Sequence, residues 1–438
     1  MSMPKQNLQN VPDRSLLKRP LVLFILGVIA AGIPLTYAAS DFTKTSYNAQ
    51  GEIGEVKEGE EPLSTKPRVT HVPLPPAVKA IYMSQCVVGT KDFRQDLVDL
   101  VDETELNSII IDIKDYTGKI SFDTNNPKLA QSVSDQCGAT DMREFIEYLH
   151  SKDIFVIGRI TVFQDPFYSL QHPELAVKRA SDGGVWKDHK GLSFIDVGAR
   201  PYWDFVVELT KESYNLGFDE LNYDYVRFPS DGNMKDIYFS HSQGKSKPEA
   251  LEAFFAYLNE KVKDPALYAD YEHVGLPKGT PAVPVTSADL FGMTTTNTDD
   301  LNIGQVLERA LPHFDFIAPM VYPSHYPKTW NGFSDPNKYP YEVVYTAMKG
   351  GADRATATTT TVLFNGAVVL STTTPVIYAK PVYDKKKLRT WIQDFDYGGN
   401  YDVAEVKAQI KATYDAGLDS WMIWAPSNRY TRGALLPE

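Results

Sequence analysis

Eight short apolar segments rich in β-branched and aromatic residues recur along the chain, and amphipathic helical patterns lie between most of them. The predicted strands are Ala80–Met83, Ser108–Ile113, Ile154–Val162, Glu220–Val226, Ala282–Asp289, Phe314–Val321, Leu388–Phe395 and Ser420–Trp424. The predicted helices are Phe93–Glu105, Thr140–Ser151, Tyr202–Leu216, Pro248–Val262, Ile303–Leu311 and Val403–Ala416. This alternation predicts an α/β fold, specifically a (β/α)8 TIM barrel.

A doubly wound open sheet is the alternative fold for such an alternation. That fold would need a phosphate-binding glycine loop directly after the first strand. The segment Ser84–Gly89, which follows the first predicted strand, contains no such loop. The barrel is therefore the preferred prediction.

One segment, Gly350–Tyr383, interrupts the alternation of strands and helices. It contains a run of Thr and Ala, and then two β-rich stretches, Thr361–Leu370 and Pro375–Val382, on either side of Ser371–Thr374. We predict that residues 350–383 form an inserted β-hairpin before the seventh strand.

The N-terminus has the pattern of an export signal. Arg14, Lys18 and Arg19 precede the apolar run Leu21–Ile33, and small residues near Ala39 would permit cleavage. Extended to Ala39, the apolar stretch approaches the roughly 20 residues of a membrane-spanning helix. Residues 1–40 are therefore predicted to be a cytoplasmic tail plus either a signal peptide or a membrane anchor. Both alternatives place the remainder outside the cytoplasm, secreted or membrane-anchored.

Residues 41–76 are rich in Gly, Glu, Thr and Pro and show no hydrophobic periodicity. This composition predicts a disordered linker. The folded domain is then expected to cover residues 77–438.

Composition excludes some classes of partner. The chain has 44 Lys plus Arg and 56 Asp plus Glu, a net charge of −12, which argues against nucleic acid as a partner. The sequence also has 25 Tyr and 6 Trp, which suits a sugar-binding cleft, although core packing accounts for most of these rings.

Cys86 and Cys137 are the two cysteines of the chain. There is no CxxC motif, Cys/His cluster or His-x-x-x-His spacing, so no metal and no cofactor is predicted. In an exported protein the two cysteines could pair, but sequence alone does not decide this.

Polar side chains at the predicted carboxyl ends of the strands are the candidate functional residues, because barrel enzymes place their active sites there. Glycosidic hydrolysis uses two carboxyl groups, one as acid and one as nucleophile or base. Asn222 and Asp224 share one face of the fourth strand, and Asp289 ends the next strand. We predict Asp224 as nucleophile or base and Asp289 as general acid. The apolar neighbours of Asp289 further predict that its pKa is the one raised.

Structural roles compete with these assignments. An Asp at a strand end is often a helix cap or an ion-pair partner. Arg227 could pair with Asp224, and Asp112 could pair with Lys114. Trp391 and Trp424 are equally consistent with sugar platforms and with core rings. The predicted substrate-binding residues are Asp112, Lys114, Arg159, Asn222, Tyr223, Arg227, Tyr322, His325, Gln393, Asp394 and Trp424.

Four motifs carry a resemblance to a known family. They are the segments Asn222–Gly232 (NYDYVRFPSDG), Ser287–Gly292 (SADLFG), Trp391–Phe395 (WIQDF) and Ile109–Asp115 (IIIDIKD). They resemble the bacterial "putative glycoside hydrolase" barrel domain of exported proteins, from about Lys79 to Arg432. The resemblance implies a TIM barrel with glycosidase-like chemistry. The chain is also similar, at a distance, to barrel glycosidases with the nucleophile or base on strand four, which favours Asp224. Segment 350–383 departs from the family's usual shorter connection.

The prediction is a secreted or membrane-anchored glycoside hydrolase that acts on a cell-surface or extracellular polysaccharide. Two alternatives stay open, a non-catalytic carbohydrate-binding barrel and a structural surface barrel. A facing pair of carboxyl groups at glycosidase spacing would favour catalysis.

Overall fold

The computed structural model describes residues 65–437, which form a closed barrel of eight parallel strands. The strands are β1 (Lys79–Met83), β2 (Ser108–Lys114), β3 (Phe155–Thr161), β4 (Glu220–Asp224), β5 (Val285–Phe291), β6 (Phe316–Met320), β7 (Thr390–Gln393) and β8 (Trp421–Trp424). Each strand pairs with its neighbours in chain order, and β8 pairs with β1 to close the barrel. The predicted TIM barrel is confirmed.

Helices surround the barrel. They are α1 (Gln85–Val88), α2 (Lys91–Asp102), α3 (Met142–His150), α4 (Pro166–Gln171), α5 (Arg200–Leu216), α6 (Lys247–Val262), α7 (Leu307–Ala310), α8 (Pro340–Thr356) and α9 (Val403–Asp415). The six predicted helices correspond to α2, α3, α5, α6, α7 and α9. The predicted helix Ile303–Leu311 is shortened to the single turn of α7.

The core lies in two layers because side chains alternate along each strand. On β2, Ile109 and Ile111 pack outward against the helices, whereas Ile110 packs into the barrel interior. The interior also contains Tyr82, Phe155 and Trp391, which are 8%, 2% and 2% exposed. The barrel centre is therefore filled, and space for a ligand lies above it, at the mouth.

The inserted segment differs in detail from the prediction. Its first residues, up to Thr356, belong to α8, and the remainder forms a three-stranded antiparallel sheet. Val368–Ser371 and Ile377–Ala379 form the hairpin, and Thr359–Thr360 pairs with the other edge of Ile377–Ala379. The hairpin is thus present but shorter than predicted.

The predicted linker extends too far toward the barrel. Arg68–Thr70 is a strand that pairs in parallel with Glu272–Val274, and Val69 and Val72 are 2% and 9% exposed. This burial orders a segment that composition alone assigns to a linker. The predictions for residues 1–40, and for the linker up to residue 64, lie outside the described residues. Within residues 65–437, every helix is too short or too polar to cross a bilayer.

Cys86 and Cys137 form a disulfide, which answers the question that the sequence left open. The bond joins α1, directly after β1, to the connection that leads into α3. It therefore fixes two connections beside the barrel mouth.

Candidate active site

The carboxyl ends of four neighbouring strands bring together three carboxylates and one guanidinium group. Arg159 on β3 lies in the centre, with Nη1 2.6 Å from Oδ1 of Asp112 on β2. Its Nη2 contacts Oδ2 of Asp224 on β4, and its Nε lies 3.8 Å from Oδ2 of Asp289 on β5. Arg159 thus contacts three carboxyl groups at the barrel mouth, at the strand ends where the sequence predicted them.

Asp289 is enclosed by hydrogen-bond donors on one side. Its Oδ1 accepts hydrogen bonds from Nε1 of Trp391 at 2.7 Å and from Nδ2 of Asn222 at 2.9 Å. The side chain is almost fully buried, at 1% exposure. Burial, together with the charge of Asp224, raises the pKa of Asp289 well above its usual range. Because Oδ1 already accepts two hydrogen bonds, a proton on Asp289 belongs on Oδ2.

The side chain of Asp224 is held in place by different contacts. Its Oδ2 contacts Arg159, and its Oδ1 accepts a hydrogen bond from the backbone nitrogen of Tyr225 at 2.5 Å. The strand ends at Asp224, and the next residue, Tyr225, has a left-handed backbone conformation with a φ of 51°. The register pairs Tyr223 with Ala288, so Asp224 and Asp289 are the next residues on two adjacent strands.

Asp112 forms the third corner of the cluster. The hydroxyl of Tyr82 donates to Oδ2 of Asp112, and Arg159 contacts its other oxygen. Burial raises the pKa of Asp112, although the charge of Arg159 acts in the opposite direction. The cluster therefore contains two carboxyl groups, Asp112 and Asp289, whose pKa values burial raises.

A cleft with two lobes opens above this cluster. The lobe over Asp224 and Asp289 has a volume of about 430 Å³, and the lobe over Asp112 has a volume of about 640 Å³. Both fall in the range of small-molecule sites, roughly 300–1,000 Å³. The residues shared by the two lobes are Arg159, Lys190, Tyr225, Arg227, Asp231 and Trp424. Because these side chains line both lobes, an extended ligand can occupy the two together.

Aromatic rings form one wall of the smaller lobe. The rings of Tyr322 and Trp424 stack with centroids 5.3 Å apart and an interplanar angle of 30°. His325 lies beside them, with its ring centroid 5.4 Å from that of Tyr322. Flat apolar faces beside carboxyl groups suit the C–H faces of a sugar ring.

The predicted site residues divide into two groups. Those that line the cleft are Asp112, Arg159, Asp224, Arg227, Asp289, Tyr322, His325 and Trp424. Those that do not line it are Lys114, Asn222, Tyr223, Gln393 and Asp394. Asn222 lies beneath the cleft, where it positions Asp289.

Lys114 is a correction to the predicted substrate contacts. Its Nζ is fully buried, 2.9 Å from Oδ2 of Asp165 and 2.6 Å from the carbonyl oxygen of Thr161. It also does not pair with Asp112, because the register of β2 shifts between Asp112 and Lys114. Because of this irregularity, the side chains of Asp112 and Lys114 do not share a face of β2 as regular alternation would predict.

Tyr223, Gln393 and Asp394 are corrected for similar reasons. Tyr223 has the opposite parity to Asp224, so it points outward, and its hydroxyl bonds to Thr210 at 2.9 Å. The amide of Gln393 donates to the carbonyl of Phe395 at 2.8 Å and accepts from the backbone of Ser324. Asp394 accepts two hydrogen bonds from Thr431, each 2.7 Å long, and so fixes the C-terminal segment.

Several lining residues were not singled out from sequence as site residues. They are Tyr82, Lys190, Tyr225, Asp231, Phe291 and Met320. Tyr225 and Phe291 lie one and two residues after the predicted acids, within the motifs already identified, so selecting the two residues after each acid would have found them. Lys190 and Asp231 lie on long loops, where sequence periodicity gives no signal.

A closed parallel barrel with carboxyl groups at the carboxyl ends of its strands is an arrangement that many barrel glycosidases use. Residues 80–430 match the model of a family described as "putative glycosyl hydrolase domain". The chain belongs to this family, and the membership supports glycosidase activity. None of the curated proteins matches the chain.

The chain is similar to several solved structures, and those with TM-scores of 0.50 or more share the fold. The glycoside hydrolase domain of PgaB (BpsB) from Bordetella bronchiseptica is 11% identical, with a TM-score of 0.54, and the match covers 82% of this chain and 99% of that one. The α-L-fucosidase isoenzyme 2 from Paenibacillus thiaminolyticus is 11% identical, with a TM-score of 0.50, and covers 82% and 47%. A hypothetical protein from Ruminiclostridium thermocellum is 32% identical over 44% of this chain and 96% of that one, with a TM-score of 0.39.

Proposed function

We propose that the protein is a glycoside hydrolase that cleaves a cell-surface or extracellular polysaccharide. Asp224 serves as nucleophile or base, and Asp289 serves as general acid. The observation that carries this proposal is the contrast between two adjacent carboxyl groups. Asp224 is paired with a cation, whereas burial and the neighbouring charge raise the pKa of Asp289. Pairs of carboxyl groups with separated pKa values are how glycosidases divide acid and base roles.

The spacing of the pair agrees with this division. Arg159 contacts Asp224 directly and lies 3.8 Å from Asp289, so the two carboxyl groups fall within the roughly 9.5 Å upper limit for glycosidases. In the proposed reaction, Oδ2 of Asp289 donates its proton to the glycosidic oxygen as the bond breaks. Asp224, on the adjacent strand, attacks the anomeric carbon or activates a water.

The location of the substrate is part of the proposal. The basic flank and apolar run before Ser40 support export of the remainder. The disulfide between Cys86 and Cys137 supports the same location, because disulfides persist mainly in oxidising compartments. A polymer outside the cytoplasm is therefore the proposed substrate.

A panel of polysaccharides and aryl glycosides, incubated with the full chain, tests the activity. Asp224→Asn is expected to lower turnover by several orders of magnitude without unfolding the domain, because Arg159 keeps its contacts with Asp112 and Asp289. Asp289→Asn is expected to impair hydrolysis least on aryl glycosides with good leaving groups, which need little protonation.

Asp394→Asn is the matched control, because this carboxylate lies near the same barrel end but outside the cleft. It should lower stability rather than turnover. Near-full activity of Asp224→Asn would overturn the assignment and make Asp112 the leading candidate. Binding of glycans without any cleavage would favour the alternative, a non-catalytic carbohydrate-binding barrel.

A further inference from the structure

A chain of hydrogen bonds runs through the barrel interior, from the amino ends of β4 and β7 up to the candidate acid. Nη1 of Arg389, directly before β7, donates to Oε1 and Oε2 of Glu220 at 2.7 and 2.6 Å. Oγ of Ser287 donates to Oε1 of Glu220 at 2.6 Å, and Nδ2 of Asn222 donates to Oγ of Ser287 at 2.9 Å. The same Nδ2 donates to Oδ1 of Asp289. These five residues are at most 1% exposed, so their hydrogen bonds have to be made within the protein.

The charge of Arg389 fixes the direction of every bond in this chain. A carboxylate paired with an arginine has only acceptor oxygens, so the hydroxyl proton of Ser287 points to Glu220. The oxygen of Ser287 then has only acceptor capacity left, and it requires the NH2 group of Asn222 rather than the carbonyl oxygen. The second N–H of that amide points to Oδ1 of Asp289.

The oxygen end of the Asn222 amide does not support this orientation. Among the residues that the structure describes, no group bonds to Oδ1 of Asn222, although this atom is buried. The amide is therefore oriented through its nitrogen alone, by Ser287 on one side and Asp289 on the other. Without the bond to Ser287, a rotation of the amide would turn its oxygen toward Asp289 and replace a donor with an acceptor.

We propose that Glu220 and Ser287 are positioning residues for the general acid. By holding the amide of Asn222 with its NH2 group toward Oδ1 of Asp289, they keep the acidic proton on Oδ2. This inference rests on the proposed function, in which Asp289 donates a proton to the glycosidic oxygen. Oδ1 lies on the side of Asn222, beneath the cleft, whereas Oδ2 lies 3.8 Å from Nε of Arg159. A proton on Oδ1 would face the barrel interior and would not reach a substrate.

Ser287→Ala tests the chain with the smallest change. The pair of Arg389 and Glu220 stays intact, while the amide of Asn222 loses the bond that orients it. The pKa of Asp289 is read from a carbon-13 NMR titration of the full chain labelled at the aspartate carboxyl groups, with Asp289→Asn used to assign the resonance. We expect this pKa to rise by about 1, the effect of losing one hydrogen bond to a charged group.

The charged and titratable groups around Asp289 stay the same in this variant. Asp224 on β4, Arg159 on β3 and Tyr322, which follows β6, interact with it electrostatically. A change in the pKa of Asp289 therefore reports the hydrogen-bond chain and not an altered set of charges.

Kinetics should show that the proton of Ser287→Ala is on the wrong oxygen. The protonated form of Asp289 persists to higher pH, yet kcat on substrates with poor leaving groups should fall about tenfold while KM is retained. Aryl glycosides with good leaving groups should lose less, since they need little protonation. A general packing defect would lower kcat equally for both kinds of substrate.

Double variants show whether the effect passes along the chain. Asn222→Leu removes the amide, keeps a side chain of similar size and should raise the pKa of Asp289 by itself. Adding Ser287→Ala to Asn222→Leu should then change the pKa no further. Glu220→Gln combined with Arg389→Met removes both charges of the buried pair together and lets residue 220 donate to Ser287. This variant should raise the pKa of Asp289, as Ser287→Ala does.

Thr286→Ala is the matched control. It removes a buried hydroxyl from the neighbouring residue of β5, on the opposite face of the strand, where Thr286 donates to Asp315 at 3.0 Å. It should leave the pKa of Asp289 and the dependence of kcat on the leaving group unchanged. An unchanged pKa in Ser287→Ala, an equal rise in Thr286→Ala, or a further rise when Ser287→Ala is added to Asn222→Leu would overturn the proposal.

The two proposals fail in different ways, because the NMR titration needs no substrate. A pKa of Asp289 that responds as expected, in a chain that cleaves no glycan, would retain the hydrogen-bond chain and discard catalysis by Asp289. Glycan cleavage with a pKa of Asp289 that Ser287→Ala does not move would retain the glycosidase and discard the role of Ser287 and Glu220.

Discussion

At the scale of single residues, the acid role of Asp289 depends on two donors beneath it. Trp391 and Asn222 both donate to Oδ1, and these hydrogen bonds lower the pKa of Asp289 against the larger effect of burial. Trp391→Phe removes one donor and is expected to raise the pKa further. The basic limb of kcat/KM against pH should therefore move to higher pH. An unchanged limb, with the melting temperature preserved, would argue that Asp289 is not the titrating acid.

The charge of Arg159 acts on three carboxyl groups, those of Asp112, Asp224 and Asp289. Its charge lowers the pKa values of Asp112 and Asp289, which burial raises. With a folded pKa above the unfolded value of about 4, each acid makes stability fall as pH rises past 4. Arg159→Gln removes the charge that lowers both pKa values, so the decrease in stability should continue to higher pH. We expect a loss of about 3–5 kcal/mol at pH 8 and a smaller loss at pH 5, measured by urea unfolding.

A matched control for that substitution is Arg179→Gln. Arg179 pairs with Asp182 on the surface, where the side chains are 43% and 55% exposed, and such pairs contribute little to stability. Equal losses at the two pH values for Arg159→Gln would contradict the charge argument and indicate a packing defect instead.

Strand parity predicted the central acids of the site, but not their cation. Asp224 and Asp289 follow from alternation on two regular strands. Sequence proximity made Arg227 a possible partner of Asp224, yet its guanidinium group lies over the rings of Tyr225 and Phe291. The true partner, Arg159, lies 65 residues away in sequence, on the adjacent strand. Such a contact follows from barrel closure, which local sequence does not encode.

At the scale of elements, the strand Arg68–Thr70 is fastened beside the start of β4 by a buried network. Oδ1 of Asp219 lies 3.1 Å from Nδ1 of His71, and Oδ2 lies 3.0 Å from Nε2 of His150. The backbone nitrogens of Val72 and Val156 also donate to this carboxylate. Burial would raise the pKa of Asp219, but the hydrogen bonds from both histidines lower it below its usual range.

This network predicts a stability effect with a defined pH dependence. Because the pKa of Asp219 is lower in the folded state, its ionised form stabilises the fold above the unfolded-state pKa of about 4. This stabilisation is lost as the pH falls through the folded-state pKa. Asp219→Asn should therefore cost about 3 kcal/mol at pH 7 and less in acid, measured by urea unfolding. Amide exchange at Val72 should accelerate. Asp270→Asn, at a carboxylate that is 78% exposed, should change neither quantity.

Elements with strong periodicity were predicted, and those that depend on tertiary contact were not. The eight strands are largely buried and rich in apolar residues, which is the pattern of parallel strands covered on both faces. Helix α8 was not predicted, since Gly350 and Gly351 disfavour helix. In the fold Gly351 lies so close to Leu388 that an added Cβ would approach it to 3.1 Å. The strand Arg68–Thr70 has three residues, too few for a periodic signal.

At the scale of the whole molecule, the disulfide makes the stability of the fold depend on an oxidising compartment. It closes a loop with a sequence separation of 51 residues, which corresponds to a loss of about 4 kcal/mol when the bond is removed. Reduced full-length protein should therefore unfold at lower urea than oxidised protein. Cys86→Ser with Cys137→Ser should match the reduced form and become insensitive to reductant. Equal midpoints in both redox states would contradict a structural role for the bond.

The barrel is predicted to be exported, and the fold determines where a reporter can be joined to test this. The strand Arg68–Thr70 belongs to the folded domain, so a reporter has to be joined before it, after Pro62. A periplasm- or exterior-dependent reporter at that point should be active, and a reporter that works only in the cytoplasm should be silent. Replacing Ile25 and Val28 of the apolar run with Arg should reverse both results and leave the barrel cysteines reduced in the cytoplasm, detected by maleimide labelling. A cytoplasmic reporter that is active on the parent sequence would refute export.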